Sequence, residues 1–444
     1  MARSVLRAAG KTWLGLLLGV HLAWSLTPST MAASLSPRQV QIVKAETGYQ
    51  MLLDGRPFHV NGAGLESGNL AQLAASGANS FRTWRTEGGR RLLDRALDHG
   101  LMVAMGIEMA RERHGFDYDD AAAVARQFAR VRREVSGLKD HPALLMWVVG
   151  NELNLDGHNP KVWDAVNQIA EWIHQEDPDH PVMTTLAGFN PELAEQLRTR
   201  APALDLIGIQ LYGDIVQLPA KLGASAWTGP YIVTEWGPSG HWEVPQTAWG
   251  APIEDDSTRK AELLTDRYRR YIASDSRQCL GSYVFLWGQK QERTPTWYGM
   301  FLKTGEATAA VDAMQYSWTG RWPGNRSPSI SPLRIDARQA ADSVVLAPRQ
   351  PYLASVSSND PDGDSLQYDW RLLRESEAHS VGGDAEEVPR AVPVRMHADG
   401  AGRLQFTSPR RSGNYRLFVT VRDGRGHAAH ANMPFRVEKL PARP

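Results

Sequence analysis

Between Val40 and about Trp318 the chain repeats one pattern, in which a short apolar run is followed by a polar turn and an amphipathic stretch. Near-continuous apolar runs are typical of parallel strands that are buried on both faces. Eight strands alternating with helices over about 280 residues predict a closed (β/α)8 TIM barrel. The eight runs are Phe58–Val60, Ser80–Trp84, Leu101–Ile107, Leu144–Val149, Val182–Leu186, Leu206–Leu211, Tyr231–Thr234 and Ser282–Trp287.

The stretches between these runs carry helical periodicity and helix-start signals. Val124, Phe128 and Val131 recur at three- and four-residue steps, which places them on one face of a helix. Asn159-Pro160 and Asn190-Pro191 each set a capping side chain before a first-turn proline. Both signals favour the alternation of strands and helices that a barrel requires.

The composition changes after Trp318 and indicates a second domain. Residues 321–332 are rich in Pro, Ser, Gly and Asn, as in a linker. Alternating runs such as Leu366–Leu372 and Tyr415–Val421 then predict an immunoglobulin-like β-sandwich over residues 333–440. We therefore expect a barrel over residues 38–320 and a sandwich that folds independently, so that a chain shortened to Trp322 stays soluble.

The first 33 residues have the pattern of a secretory signal. Arg3, Arg7 and Lys11 precede the apolar run Trp13–Leu26, and small residues follow at Ala32–Ala33. The run is short for a membrane span, so we predict a mature chain without one, secreted or exported to a bacterial periplasm. An uncleaved anchor is the alternative.

Charge and cysteine content exclude several classes of function. The 49 basic residues balance 49 acidic ones, so no global field favours nucleic acid as a partner. The single cysteine, Cys279, excludes an intrachain disulfide, a zinc-thiolate site and a Cys-x-x-Cys motif. The glycines from Gly62 to Gly68 miss the dinucleotide-binding spacing by one residue. We predict no cofactor and no metal, although the aspartates from Asp360 to Asp364 leave a weak calcium site open.

Two of the predicted strands are followed by a glutamate at the end where barrel enzymes carry their chemistry. Glu152 follows the fourth run and Glu235 follows the seventh. Because burying a carboxylate at the end of an apolar strand costs free energy, two such cases indicate a function. Glycoside hydrolysis needs a protonated carboxylic acid at the leaving oxygen and an ionised carboxylate at the anomeric carbon. The alternative is a structural barrel with ordinary ion-paired glutamates.

The motifs Gly150-Asn151-Glu152 and Thr234-Glu235-Trp236-Gly237 resemble those of the clan A glycoside hydrolases, retaining barrel enzymes with a glutamate after strands four and seven. The resemblance covers the barrel and is strongest to family 2 catalytic domains and β-1,3-glucanosyltransferases. The sandwich segments Asn359–Asp364 and Gly413–Gly426 resemble polycystic-kidney-disease and cadherin-like modules.

The clan resemblance implies a role for each residue at these strand ends. Glu152 is the expected acid/base and Glu235 the expected nucleophile. Asn151 would hold the sugar 2-hydroxyl, while Arg82 and Tyr212 would donate hydrogen bonds to Glu235. A negative Glu235 nearby would raise the pKa of Glu152, as a general acid requires.

Other side chains at the strand ends extend the candidate substrate site. Trp236, Trp242 and Trp287 have flat rings that suit stacking on the apolar faces of sugars. Plain packing in the core or in a loop is the alternative for each of them. Glu108 follows the third run and is a further candidate for lining the cleft, with a surface role as its alternative.

Three functions are consistent with these residues. The favoured one is a retaining β-glycoside hydrolase acting on a β-linked oligo- or polysaccharide, with a β-glucan as the favoured class. The second is a β-glucanosyltransferase, in which a sugar attacks the same glycosyl-enzyme in place of water. The third is an inactive carbohydrate-binding protein, which the presence of both glutamates together with Asn151 and Tyr212 disfavours.

Overall fold

The computed structural model describes residues 36–65 and 68–439, so the predicted signal segment lies outside the described residues. Within the described ranges, eight parallel strands close into a barrel with helices between them. This confirms the predicted (β/α)8 fold class. An antiparallel sheet precedes the barrel and consists of β1 (Val40–Ala45), β2 (Gly48–Leu53) and β3 (Arg56–Pro57).

The eight barrel strands follow one another around the ring in chain order, and the last strand closes the ring by pairing with the first. They are β4 (Val60–Gly64), β5 (Ser80–Arg82), β6 (Met102–Ile107), β7 (Leu144–Val149), β8 (Val182–Ala187), β9 (Leu206–Gln210), β10 (Tyr231–Trp236) and β11 (Cys279–Val284). The α-helices are α1 (Leu70–Ala75), α2 (Gly89–Asp98), α3 (Ala121–Ser136), α4 (Lys161–Glu176), α5 (Pro191–Arg200), α6 (Leu218–Ala224), α7 (Ser257–Arg267) and α8 (Ala309–Thr319). Across the described ranges no helix is both long and apolar enough to cross a membrane.

Alternate residues of each barrel strand pack on opposite sides, because successive side chains of a strand point to opposite faces. On β6, Met102 and Ala104 belong to the core inside the barrel, with Val60 and Leu206. Their neighbours on β6 belong to the core between strands and helices. The strands are therefore buried on both faces, which explains their near-continuous apolar sequence.

The first and last barrel strands lie at other residues than their apolar runs predicted. β4 begins where the run Phe58–Val60 ends, and β11 begins three residues before the run Ser282–Trp287. A glycine on each strand gives the physical reason, because a Cβ at Gly62 would lie 2.5 Å from the ring of Tyr283 and a Cβ at Gly281 would clash with the Val60 carbonyl oxygen. Glycine on β4 makes room for this aromatic ring and interrupts the hydrophobic pattern.

The C-terminal region contains two four-stranded sheets that share one hydrophobic core, as in a β-sandwich. Phe406 of one sheet and Phe435 of the other have ring centroids 5.9 Å apart. The strands are β12 (Ser329–Ile330), β13 (Arg334–Ile335), β14 (Val345–Leu346), β15 (Pro351–Ser355), β16 (Ser358–Asn359), β17 (Gln367–Arg374), β18 (Met396–Ala398), β19 (Arg403–Thr407), β20 (Gly413–Arg422) and β21 (Ala428–Val437). The two sheets have the strand orders β13-β15-β19-β18 and β14-β21-β20-β17, and a short pair, β12 with β16, lies beside them.

The sandwich is hydrogen-bonded directly to the barrel. The backbone N–H of His430 on β21 donates to Ser257 Oγ at 3.0 Å, at the start of α7. Asn432 Nδ2 donates to Glu254 Oε2 at 2.6 Å, and Arg416 Nη2 donates to the Pro252 carbonyl at 2.7 Å. These bonds satisfy buried polar groups on both sides of the interface.

The segment 321–332, expected as a linker, is bonded to its surroundings. The Ser327 N–H donates to Asp312 Oδ2 at 2.6 Å, and the Ile330 N–H donates to Thr258 Oγ1 at 2.7 Å. Asn325 Nδ2 donates to Asp423 Oδ2 at 2.7 Å in the sandwich. The segment is therefore part of the packed contact between barrel and sandwich.

The acidic segment near Asp360 forms a turn. Asp360 Oδ1 accepts hydrogen bonds from the backbone N–H groups of Asp362 and Asp364, a local pattern that aspartate favours. Carboxylate oxygens of Asp360, Asp364 and Asp423 lie within 4.8 Å of one another. Arg425 Nε lies 3.0 Å from Asp364 Oδ1 and offsets part of this negative charge.

Candidate active site

A cleft of about 550 Å³ opens at the C-terminal ends of the barrel strands. This is the end of the barrel at which loops bring residues from several strands together. Glu152 and Glu235 both line it, and so do Asn151 and Tyr212. Its remaining barrel residues are Trp84, Arg85, Glu108, Arg111, Trp242, Phe285, Leu286, Trp287, Gly288, Gln289, Lys290, Gln291 and Glu292.

Glu235, on β10, is anchored by hydrogen bonds at both carboxylate oxygens. Its Oε1 accepts from Arg82 Nη1 at 3.0 Å, from Trp84 Nε1 at 2.8 Å and from Gln210 Nε2 at 3.2 Å. Its Oε2 accepts from the Tyr212 hydroxyl at 3.1 Å. The residue is only 6% exposed, so these donors replace water and hold the carboxylate in one orientation.

Arg82 is fully buried at the end of β5 and connects the two motifs. Its Nη1 donates to the Thr234 carbonyl at 3.1 Å as well as to Glu235. Its Nη2 donates to Asn151 Oδ1 at 2.8 Å. The rigid guanidinium fork therefore fixes the spacing between the fourth and seventh strand ends.

Asn151 is held through its side-chain oxygen. Oδ1 accepts from Arg82, from Gln210 Nε2 at 2.7 Å and from Thr185 Oγ1 at 3.0 Å. Three donors around one atom assign it as the amide oxygen rather than the nitrogen. The amide nitrogen, Nδ2, is therefore the end that can donate to a ligand in the cleft.

Glu152 lies in a left-handed turn that begins as β7 ends. Gly150 has φ +76° and Glu152 has φ +52°, and the Glu152 N–H donates to the Thr185 carbonyl at 3.0 Å. A positive φ is uncommon for a non-glycine residue, and such residues cluster at functional sites. The turn brings the Glu152 side chain to the same cleft as Glu235.

The surroundings of Glu152 favour its protonated form. Burial raises the pKa of Glu152 to about 8, and the nearby carboxylate of Glu235 adds to this increase. The cations Arg113, Arg111 and Arg82 oppose it without cancelling it. One cleft thus holds a carboxyl that keeps its proton at neutral pH and a carboxylate that is anchored by an arginine.

The other predicted site residues are divided between the cleft and the core. Trp242 lines the cleft and is 57% exposed, and its ring meets Tyr212 edge-on with centroids 5.6 Å apart. Glu108 lines the cleft from an exposed position. Trp287 also borders the cleft, but it is fully buried and its Nε1 donates to the Asn69 carbonyl at 3.3 Å.

The structure does not bring Trp236 to the cleft. The side chain is fully buried and stacks on Tyr268, with ring centroids 6.1 Å apart. Glu235 faces the barrel mouth, and the next residue of a strand points to the opposite side. Trp236 therefore packs in the layer between strands and helices, which corrects the expectation that it binds substrate.

Sequence reasoning missed Gln210 and Phe285. Gln210 ends β9 and donates to both Glu235 and Asn151, and a polar residue within an otherwise apolar run was the available signal. Phe285 directly follows β11 and contacts Trp84 edge-on, with centroids 5.9 Å apart. A phenylalanine within an apolar run, such as Phe285, carries no comparable signal.

One part of the cleft wall comes from the sandwich. Residues 382–386, between β17 and β18, line the cleft beside the barrel residues. They lie more than two hundred positions along the chain from Glu152, so local sequence patterns could not place them here.

Fold and cleft together define the class of this protein, a β/α-barrel with two glutamates at its mouth and a β-sandwich packed against it. No protein-family model and no curated protein matches the chain. Its similarities are to solved structures of glycoside hydrolases at low sequence identity.

One is Bifidobacterium dentium β-glucuronidase in complex with coumarin-3-O-glucuronide, at 18% identity over 64% of this chain and 49% of that chain, with a TM-score of 0.49. A second is the FMN-binding β-glucuronidase of Facaelibacterium prausnitzii, at 13% identity over 91% and 59%, with a TM-score of 0.49. A third is Eisenia fetida endo-1,4-β-mannanase, at 14% identity over 56% and 89%, with a TM-score of 0.40. The chain spans about half the length of the first of these, and similarity at this level assigns no activity.

Proposed function

We propose that the protein is a retaining glycoside hydrolase that cleaves β-linked oligo- or polysaccharides by double displacement. The observation that carries this proposal is the contrast between two glutamates of one cleft. Glu235 is paired with Arg82, whereas the pKa of Glu152 is raised to about 8. A protonated acid beside an ionised carboxylate is the arrangement that glycosidic bond cleavage requires.

In the first step, a Glu235 carboxylate oxygen attacks the anomeric carbon while Glu152 gives its proton to the leaving glycosidic oxygen. The bond between the anomeric carbon and that oxygen breaks, and an ester to Glu235 forms. The negative charge of Glu235 is then lost, which removes one cause of the raised pKa of Glu152. The resulting carboxylate of Glu152 can act as the base of the second step.

In the second step, Glu152 takes a proton from water, and the water oxygen attacks the anomeric carbon. The ester bond breaks, Glu235 leaves as a carboxylate and Glu152 is protonated again. Two displacements at one carbon retain its configuration. Arg82 and the Tyr212 hydroxyl keep Glu235 aligned for both steps.

The proposed sugar-binding residues around the two glutamates are Asn151, Trp242 and Phe285. Asn151 Nδ2 would donate to the 2-hydroxyl, a contact that strengthens as the transition state forms. Exposed Trp242 offers a flat face for stacking on a sugar ring. The rings of β-glucans present flat faces because their substituents are equatorial, so a β-glucan is the favoured substrate class.

The N-terminal segment adds a proposal about location. Its basic head and apolar run support export to a bacterial periplasm or secretion, where polysaccharides are accessible. Cell fractionation followed by N-terminal sequencing tests this directly. A mature chain that begins near Ser34 supports export, and a full-length chain in the cytoplasm contradicts it.

The proposed roles are tested by removing each carboxylate in turn. Glu235→Ala should abolish turnover because no ester can form without the nucleophile. Glu152→Ala should still form the ester from an aryl glycoside with a good leaving group, which needs no proton. The ester then persists because water lacks its base, and added azide should restore turnover. Exposed Glu262→Ala on α7 is the matched control.

The product of azide rescue identifies which role each glutamate has. In the Glu152 variant azide attacks the ester and gives a β-glycosyl azide, whereas in the Glu235 variant direct attack from the opposite face gives the α form. If the two variants gave the opposite azide products, Glu235 would be the acid/base and Glu152 the nucleophile. Full activity in both variants would overturn the proposed function. Mass analysis of the wild-type products separates hydrolysis from transfer to a second sugar.

A further inference from the structure

The segment between β17 and β18 reaches across the mouth of the barrel. We call its residues Ser380–Glu386 the roof segment. On one side it meets the loop after β6, where Arg113 Nη1 donates to the Val381 carbonyl at 2.9 Å and lies 3.3 Å from Asp384 Oδ2. His114 Nε2 lies 3.3 Å from the same Asp384 oxygen.

On the other side the roof segment meets the loop after β11. Lys290 Nζ donates to the Gly383 carbonyl at 2.8 Å. Arg293 donates to Glu386 twice, from its backbone N–H at 2.6 Å and from Nη1 at 2.7 Å, and its Nη2 donates to the Ser380 carbonyl at 3.0 Å. The side chain of Glu386 is fully buried in this contact.

The middle of the roof segment is closely fitted to the barrel loops. A Cβ at Gly382 would lie 2.7 Å from Leu155 Cδ2, in the loop after β7. A Cβ at Gly383 would lie 2.6 Å from Lys290 Nζ. Both glycines have positive φ, +58° and +74°, so a side chain at either position would be strained as well as crowded.

These contacts show that the roof segment crosses the barrel mouth and does not touch it at one edge alone. Strands β7 and β11 are four steps apart in a ring of eight, and they therefore lie on opposite sides of the barrel. The roof segment touches the loops that follow both strands, and its residues 382–386 line the cleft with Glu152 and Glu235. A polymer lying across the barrel mouth would have to occupy the same space.

We propose that the roof segment makes the sandwich part of the substrate site and restricts the enzyme to chain ends and short glycosides. This inference rests on the proposed glycosidase function and adds its mode of action. An internal stretch of polysaccharide enters an open cleft from the side, whereas under a roof only a free end can reach the glutamates. Asp384 and Glu386 are the specificity-determining residues, because their ion pairs hold the roof segment on both sides.

The first test uses the full-length wild-type protein. End-labelled soluble β-glucans, β-mannans and β-galactans are incubated with it, and product size and solution viscosity are followed together. The roof predicts that mono- or short oligosaccharides appear from the first time point while viscosity stays nearly constant. A rapid fall in viscosity with long products shows internal cleavage and overturns the roof proposal alone. Absence of cleavage of these polymers and of the matching aryl glycosides overturns the proposed function as well.

The second test releases the roof segment from either side. For Asp384→Ala and Glu386→Ala, kcat/KM on the cleaved polymer is divided by kcat/KM on the aryl glycoside. The roof predicts that this ratio rises by about tenfold and that longer products appear. Glu387→Ala, an exposed neighbour with the same change of charge, should keep the wild-type ratio and product sizes.

Thermal melting of each variant shows whether it is folded. Loss of Glu386 leaves Arg293 without its carboxylate, so this variant is the more severe. Asp384→Ala removes the partly exposed partner of Arg113. This variant should therefore lose less stability while it tests the same change in specificity. Unchanged ratios and product sizes in the folded variants would overturn the assignment.

Discussion

Arg82 Nη1 lies 3.0 Å from Glu235 Oε1, and the two side chains form a buried ion pair at the barrel mouth. Removing one partner of a buried pair leaves the other charge unpaired, which costs about 3–5 kcal/mol. We therefore expect Arg82→Met to lower the free energy of unfolding by about this amount and to reduce kcat by more than about a hundredfold. Urea denaturation and steady-state kinetics measure the two effects.

The double variant Arg82→Met with Glu235→Gln shows how much of the lost stability comes from the unpaired charge and how much from lost packing. Because the unpaired carboxylate is then gone, part of the lost stability should return although activity does not. Additive losses of stability in the double variant would contradict the ion pair as the cause.

Tyr212 and Tyr231 provide a matched comparison of buried hydroxyl groups. The Tyr212 hydroxyl donates to Glu235 Oε2 at 3.1 Å, whereas the Tyr231 hydroxyl donates to Asp275 Oδ2 at 2.8 Å, at the N-terminal start of β10. Tyr212→Phe should lower kcat by about ten- to a hundredfold, because Glu235 loses one of its orienting donors. Tyr231→Phe should leave kcat near wild type. Equal losses in both variants would assign Tyr212 a purely structural role.

The raised pKa of Glu152 predicts how activity depends on pH. A general acid works only while protonated, so kcat/KM should fall on the alkaline side as pH rises through about 8, where Glu152 loses its proton. The decline should weaken for an aryl glycoside whose leaving group needs no proton. A decline near pH 4.5, the ordinary value for glutamate, would show that burial does not raise the pKa of Glu152.

The sandwich contact predicts the result of truncation. A chain shortened to Trp322 loses the hydrogen bonds that Asn432 and the His430 N–H donate to Glu254 and Ser257, at the start of α7. Each lost hydrogen bond costs about 0.5–1.5 kcal/mol, and the apolar surface that the sandwich covers becomes exposed as well. We expect the shortened chain to aggregate, in contrast to the expectation from sequence. A chain ending at Lys439, which keeps the described strands, is the control, and a soluble, active barrel would contradict this account.

The barrel was predictable because its signals are local. Six of the eight barrel strands begin at the start of their apolar runs or one residue later, and Glu152 and Glu235 follow two of these runs as conspicuous polar residues. The prediction that Trp236 binds substrate was wrong because adjacent residues of a strand point to opposite faces. Since Glu235 points to the barrel mouth, Trp236 points away from it.

The roof segment was beyond prediction for another physical reason. The pair between Arg293 and Glu386 joins residues 93 positions apart, and Arg113 and Asp384 are 271 positions apart. Nothing in the sequence around either partner specifies the other, because only the folded barrel and sandwich bring them together. The same holds for the bonds between segment 321–332 and the barrel.

The proposed mechanism requires Glu235 to form a covalent ester with the sugar. A 2-deoxy-2-fluoro glycoside with a good leaving group slows both steps and lets this ester accumulate. Mass spectrometry of the intact protein should show one added sugar, and peptide fragmentation should place it on Glu235. Proton NMR of an ordinary substrate should show a β anomer as the first product. A sugar on any other residue, or no adduct together with an initial α anomer, would contradict the account.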